Sequence, residues 1–85
     1  MNGYYYIVIE TDTWDSSTSV KVKGVLPTML DAKERLAKVV TRLRNIAEEE
    51  EFEIETDKDT EFTAYEEGFG GQNGVSAYIV EHVEV

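Results

Sequence analysis

Few residues of this chain have the type and spacing that catalysis requires. Its single histidine, His82, lies in a stretch with strand-like alternation, on the face away from Ile79 and Val83. A nucleophilic site would also need an activated serine beside the histidine and a carboxylate to orient the imidazole ring. None of the four serines lies in a nucleophile motif. We therefore interpret His82 as a surface histidine and predict a protein with no catalytic residue and no enzyme activity.

The candidate metal and cofactor motifs are also incomplete. Asp57, Asp59 and Glu61 have the spacing that begins a calcium-binding loop, but Phe62 stands where the turn-forming glycine belongs, and the twelfth position lacks the bidentate glutamate. The glycine-rich segment 68–74 lacks the lysine and hydroxyl of a phosphate-binding loop. The absence of cysteine excludes disulfides and thiolate zinc sites. The sequence therefore predicts no metal and no cofactor.

The acidic residues stand out because they are both dense and regularly spaced. In a strand beginning near residue 52, Glu53, Glu55 and Asp57 would project from one face at intervals of about 6.6 Å. A neighbouring strand carrying Glu61 would lie about 4.8 Å away, and the glutamates at 48–51 extend the same region. Such rows approach the charge density of a nucleic-acid backbone and could occupy a protein groove that binds phosphates. Solubility alone is the competing explanation of an acidic surface.

The charge of the chain is unevenly divided along its 85 residues. The formal net charge is −10, but residues 1–44 hold seven basic and five acidic residues, for a net of +2. Residues 45–85 hold thirteen acids and one base, for a net of −12. This field repels nucleic acid and anionic membranes and speeds encounter with basic protein surfaces. We expect a basic protein partner, with a nuclease or a DNA-binding protein as the candidates, and no direct contact to nucleic acid or membrane.

The candidate partner-binding residues are the acids of the second half and one aromatic residue of the glycine-rich segment. They are Glu48, Glu49, Glu50, Glu51, Glu53, Glu55, Asp57, Asp59, Glu61, Glu66, Glu67 and Phe69.

The element that must position most of these acids is a long amphipathic helix. Thr28, with Asp31 three residues later, resembles a capping box, and an apolar stripe at spacings of three and four residues follows it. The helix would end among the glutamates at 48–51, where the helix dipole disfavours negative charge. Strand-like segments lie on both sides, at 4–11 and 20–25 before the helix and at 52–57, 60–66 and 75–85 after it.

Together these elements predict an α+β fold in the order β-β-α-β-β-β. We expect one domain over residues 1–85, an antiparallel sheet of four to five strands, and the helix packed on one face. The first strand is apolar on both faces, which predicts a central position that is covered on both sides. The last strand is a candidate neighbour for it. A three-residue turn near residue 58 would place Glu55 opposite Glu61, a destabilising pair of like charges. The absence of a signal segment and of a long apolar run predicts a cytoplasmic protein.

The chain resembles the compact acidic inhibitors of bacteriophages and mobile elements. The resemblance lies in its small size and in two acidic stretches, EEEEFEIETDKDTE at residues 48–61 and TAYEEG at residues 63–68. The inhibitors of this kind include anti-CRISPR proteins that imitate DNA. Such inhibitors share no signature motif, so the resemblance assigns no role to individual residues. It implies a non-enzymatic inhibitor that docks an acidic face on a basic groove. The net charge of +2 in the first half departs from an all-round mimic and confines any mimicry to one face.

The alternative function is a small structural or assembly protein that self-associates through a sheet edge, with its acids serving solubility. The first hypothesis fits a monomer and the second a self-associating chain, and both a monomer and a homodimer are compatible with the sequence.

Overall fold

The computed structural model describes residues 3–13, 19–66 and 73–84. The chain forms five strands and one helix in the predicted order, which confirms the α+β fold. In chain order the elements are β1 Gly3–Asp12, β2 Ser19–Leu26, α1 Met29–Glu49, β3 Glu53–Lys58, β4 Glu61–Tyr65 and β5 Gly74–Glu84. No helix in the described part of the chain is long and apolar enough to cross a membrane.

The five strands form one antiparallel sheet in the order β2-β1-β5-β4-β3. β5 is the central strand, and it pairs with β1 over ten residue positions, from Gly3 opposite Glu84 to Asp12 opposite Val75. The predicted pairing of the first and last strands is therefore confirmed. β1 is an internal strand between β2 and β5, whereas β2 and β3 are the two edges of the sheet.

The helix begins where the sequence predicts and buries the predicted stripe. Thr28 is the N-cap, in an extended conformation, and its hydroxyl oxygen accepts a hydrogen bond from the Asp31 amide at 3.1 Å. The 21 residues of α1 amount to nearly six turns. The buried side chains of the stripe are Ala32, Leu36, Val39, Leu43 and Ala47.

The core lies between this stripe and one face of the sheet. The sheet contributes its buried side chains from three neighbouring strands, namely Val8 from β1, Phe62 and Ala64 from β4, and Val75 and Ala77 from β5. Cross-strand partners share a face, so the pairs Phe62–Ala77 and Ala64–Val75 place these residues directly beneath the helix. Burial of such side chains is the main stabilising contribution in a two-layer domain.

The opposite face of β1 is not covered by any element of the described chain, contrary to the prediction. Tyr6, Val8 and Glu10 face the helix, whereas Tyr5, Ile7 and Ile9 point to the other side of the sheet. Among the described elements, α1 alone packs on the sheet. The sequence misled here because both faces of β1 are apolar, which is typical of a strand buried on both sides.

β2 has the predicted alternation, but its apolar side chains point away from the helix. Val22 pairs with Ile9, and Val20 with Thr11, so both valines lie on the uncovered face. They are 63% and 65% exposed. Lys21 pairs with Glu10 on the helix side. β2 is an edge strand, as expected of a segment that carries lysines.

The predicted register of the β3–β4 hairpin is wrong. The turn has two residues, Asp59 and Thr60, so Lys58 lies opposite Glu61, and the pair combines opposite charges. A register shift between Ile54 and Thr56 leaves Glu55 without a cross-strand partner. The expected repulsive pair of Glu55 and Glu61 therefore does not form. The bulge also changes the alternation, because Asp57 now lies opposite Phe62 on the helix side of the sheet.

Candidate acidic interface

The acidic surface begins at the C-terminus of α1. The helix ends in a Schellman motif, in which the amide of Phe52 donates to the carbonyl oxygen of Ala47 at 2.8 Å and that of Glu51 to Glu48 at 3.4 Å. Glu51 has φ 57°, the left-handed conformation that glycine usually provides at this position. A glutamate there is strained, because its Cβ approaches the backbone.

The four glutamates 48–51 are all exposed and lie at the negative end of the helix dipole. The last turn of the helix contains no basic residue. Carboxylates at this end of a helix raise the free energy of the folded state, and cations would lower it. Both the backbone conformation of Glu51 and the charge of the helix end are therefore unfavourable locally.

β3 continues this acidic surface directly from the helix end. Glu53 and Glu55 are exposed, and Glu55 occupies the bulge. In the described part of the chain none of the carboxylates of residues 49, 50, 51, 53 and 55 forms an ion pair. We call the set Glu48, Glu49, Glu50, Glu51, Glu53 and Glu55 the acidic end.

Asp57, by contrast, is bound by the helix. Its two carboxylate oxygens accept hydrogen bonds from the Arg44 guanidinium at 2.8 and 2.9 Å, a bidentate ion pair. These hydrogen bonds lower the pKa of Asp57 and raise the pKa of Arg44. The Arg44 guanidinium also lies 5.1 Å from the centre of the Phe62 ring. The pair therefore fastens β3 to the helix above a core aromatic residue.

Asp59 and Glu61 also have basic neighbours. Asp59 forms an ion pair with Lys33 of the helix at 3.1 Å, and Glu61 lies across the turn from Lys58. Asp57 and Asp59 are therefore paired with bases of the helix and do not join the exposed glutamates of β3. Glu61 is exposed and lies on the same side of the sheet as Glu53, as the prediction places it. The same three residues have the spacing of a calcium loop, but Asp57 and Asp59 are neutralised by side chains of the chain itself.

The remaining candidate residues lie at the ends of β4 and β5. Glu66 accepts a hydrogen bond from the side-chain amide of Asn73 at 2.9 Å, and its backbone amide donates to the Asn73 carbonyl at 2.7 Å. Glu66 follows Tyr65, which pairs with Glu53, so it lies close to the acidic end. Glu67 and Phe69, as well as most of the glycine-rich segment, lie outside the described residues.

One important carboxylate was missed by the sequence analysis. Glu10 of β1 is 5% exposed, and the guanidinium of Arg42 contacts its oxygen Oε1 in an ion pair. The signal was present in the sequence, because Glu10 shares the strand face of Tyr6 and Val8, which are apolar. A buried carboxylate requires a cation nearby, and the helix supplies it.

A groove of about 390 Å³ runs between the helix and β3. Leu36, Ala37 and Val40 contribute its apolar lining, and Arg44 and Asp57 lie along its side. The ion pair of these two residues satisfies the charged groups at this point with each other. The groove therefore has a mixed lining, with apolar side chains of the helix on one side and internally paired charges on the other.

The described residues place no catalytic constellation around His82. The histidine is exposed, on the uncovered face of the sheet, opposite Tyr5. No group of three or more potential metal ligands occurs among residues 3–13, 19–66 and 73–84. The arrangement that the structure does bring together is an exposed set of carboxylates without bound cations, which suits electrostatic recognition of a basic surface. No family model, curated protein or solved structure matches the chain.

Proposed function

We propose that this chain is a non-enzymatic binding protein that docks its acidic end on the basic, nucleic-acid-binding groove of another protein. The role is that of an inhibitor of the phage or mobile-element type, such as an anti-CRISPR protein that imitates DNA. The observation that carries the proposal is the segregation of the carboxylates. Glu10, Asp57 and Asp59 are paired with bases of the helix. The carboxylates of residues 49, 50, 51, 53 and 55 are instead exposed and form no ion pair within the described chain.

The local energetics support a role for the acidic end beyond solubility. Solubility is served by acids at any exposed position, and it does not require them at the unfavourable end of a helix dipole. Nor does it require a glutamate at a left-handed position, where glycine costs less. Proteins keep such local conflicts chiefly at functional sites.

The charge density of the acidic end suits the imitation of phosphates. Six carboxylates occupy eight consecutive residues, 48–55. A DNA duplex carries one negative charge per about 1.7 Å of its axis, and proteins bind it largely through lysine and arginine. The positive electrostatic potential of a DNA-binding groove attracts a dense cluster of carboxylates in the same way as it attracts phosphates. A cytoplasmic location is part of this proposal, because nucleases and DNA-binding proteins act there.

The proposal is tested by capture of partners from a lysate at low salt, with identification of the captured protein by mass spectrometry. The affinity of the identified partner is then measured between 50 and 200 mM salt. The variant Glu53→Gln/Glu55→Gln removes two charges from the acidic end. Its control, Glu34→Gln/Glu81→Gln, removes two exposed charges elsewhere.

We expect the captured protein to be basic and the complex to weaken steeply with salt. The Glu53/Glu55 variant should reduce the slope of log K against log salt by about two, as the loss of two phosphate contacts does. The control should retain the native slope. Duplex DNA should displace the chain from its partner, because both occupy one groove. Equal effects of the two variants, or no competition by DNA, would contradict the proposal.

A second candidate is a structural protein that assembles through its sheet edges. The observation that favours it is that the two edges differ in charge, with Lys21 and Lys23 on β2 and Glu53 and Glu55 on β3. Pairing of β2 of one copy with β3 of the next would extend the sheet without closing it, and copies would add indefinitely. Light scattering distinguishes this candidate, because assembly would then grow with concentration beyond any defined oligomer.

A further inference from the structure

The sheet face away from the helix presents a regular apolar surface. Its residues form three rows across β2, β1 and β5, as given by the cross-strand pairs. The rows are Val25, Ile7 and Val80; Val22, Ile9 and Tyr78; and Val20, Thr11 and Ser76. We call these nine residues the open face. The three valines of β2 are 57–65% exposed, and Val80 is 38% exposed.

The pattern of β2 is the reverse of what a solvent-facing sheet requires. When one face of an antiparallel sheet is in water, its strands place polar residues on that face and apolar residues towards the core. In β2 the valines at 20, 22 and 25 point outward, whereas Lys21 pairs with Glu10 on the helix side. A strand with this pattern is built to be covered on its outer face.

No residue of the open face carries a formal charge, although the chain has a net charge of −10. Glu61 of β4 lies on the same side of the sheet, opposite Tyr78, and Lys58 of β3 lies opposite Glu61, so charged residues begin at the border of the open face. The acidic end lies beside β3, at the far edge of the sheet from β2. Two copies can therefore meet through the nine residues of the open face without placing formal charges of these residues against each other.

The open face is small. Three strands about 4.8 Å apart and rows about 6.6 Å apart give it a flat extent of roughly 14 by 20 Å, or about 280 Å². Stable interfaces bury about 800 Å² of accessible surface per partner, so this face suits a small interface and a weak dimer.

We propose that the open face is the interface of a homodimer in which two sheets pack face to face about a two-fold axis. The contact is isologous, because each copy contributes the same rows of valine, isoleucine and tyrosine. Aligned sheets pack about 10 Å apart, so the dimer has four layers, with a helix on each outside. Both acidic ends stay outside the interface, and the dimer offers two of them to partners. This inference concerns a different surface from the proposed function, and either can fail alone.

The test is sedimentation equilibrium of the full chain from about 5 μM to 1 mM. The native chain is compared with Val22→Lys and with Leu30→Lys as the matched control. Leu30 is an equally exposed apolar residue of the helix, 68% exposed. Both substitutions make the net charge less negative, so weaker association of Val22→Lys cannot arise from greater repulsion between the net charges of the two copies. Val22→Thr keeps the β-branched shape and serves if the lysine variant does not fold, as judged by circular dichroism.

We expect the native mass to rise from that of a monomer to that of a dimer, and association to strengthen with added salt. Val22→Lys should weaken dimerisation at least tenfold, Val22→Thr to a smaller extent, and Leu30→Lys less than twofold. A constant monomer mass throughout the range would overturn the proposal, as would dimerisation unaffected by both Val22 substitutions. Growth beyond the dimer would overturn it in favour of edge-to-edge assembly. Monomers that bind neutral phosphatidylcholine vesicles would overturn it in favour of a lipid surface.

Discussion

Glu10, Asp57 and Asp59 differ from the six carboxylates of the acidic end in what lies beside them. Each of the three has a basic side chain of α1 in contact, from Arg42, Arg44 and Lys33 respectively. The last basic residue of the helix is Arg44, and the chain then continues through the acidic end with no base before Lys58. The paired acids join the helix to the sheet, whereas the acidic end is the group that we propose to meet a partner.

Among the variants that test this difference between paired and exposed acids, Arg42→Ala is expected to change the folding stability most. The substitution leaves Glu10, at 5% exposure, as a buried carboxylate without its cation. Loss of one partner of a buried pair costs 3–5 kcal/mol, and because Arg42 is half-exposed we expect about 2 kcal/mol of lost stability in urea unfolding. Glu10→Gln in the Arg42→Ala background should restore part of it, since it removes the buried charge. A double variant no more stable than Arg42→Ala would show that the charge is not the cause.

The next largest effect, of opposite sign, is expected in the acidic end. Glu51→Gly should stabilise the fold by about 1 kcal/mol, because glycine adopts the left-handed conformation without strain. The matched control is Glu50→Gly, which removes the same charge one residue earlier, where φ is −91°. The control should not gain stability from relief of backbone strain. If thermal unfolding shows an equal gain in stability for both variants, the gain comes from removal of the charge and not from the backbone conformation.

A smaller effect is expected from the charge of the helix end alone. Glu49→Lys should stabilise the fold by about 0.5 kcal/mol at low salt, because a cation is favoured at this end of the helix dipole. Asp31→Lys makes the same change of charge in the first turn and should destabilise by a similar amount. Both differences should shrink at 1 M salt, where charges are screened. Urea unfolding at two salt concentrations measures them, and a Glu49→Lys gain that persists in high salt would contradict this origin.

The smallest effect is a pH dependence from Asp57. Its pKa is lower in the folded chain than in the unfolded chain, because the Arg44 guanidinium binds the carboxylate. The stabilisation is therefore fully present above the unfolded pKa, near 3.8, and is lost as the pH falls through the folded value. Asp57→Asn should flatten the decrease of melting temperature below about pH 4. Identical profiles for native and Asp57→Asn would show that the pair does not stabilise the fold.

The sequence was sufficient for the parts of the fold that depend on local pattern. The spacing of Ala32, Leu36, Val39 and Leu43 predicts the buried stripe, because helical periodicity is set by backbone geometry. The Thr28 cap follows from the chemistry of its hydroxyl. The expected pairing of β1 with β5 is also present, although it depends on the arrangement of the whole sheet rather than on local pattern.

The candidate site was predicted only in part, because its extent depends on register. One residue inserted at Glu55 reverses the faces of all residues beyond it in β3. Asp57 therefore faces the helix and reaches Arg44, instead of joining Glu53 in an exposed row. No periodicity reveals a bulge in advance. The partner of Glu10 was equally beyond prediction, because it depends on how the helix crosses the sheet.

The central place of β5 has a consequence for how the chain folds. Two hairpins form between strands that are neighbours in the sequence, one from β1 and β2 and the other from β3 and β4. In the sheet these hairpins meet only through β5. A two-stranded hairpin is marginally stable by itself, so neither half persists before that strand is inserted. β5 is synthesised after the other four strands. The nascent chain therefore exposes the surfaces of the incomplete sheet until β5 has been synthesised. The pairing of β1 with β5 also closes a loop of some sixty residues, which predicts slow, all-or-none folding compared with helical proteins of this size.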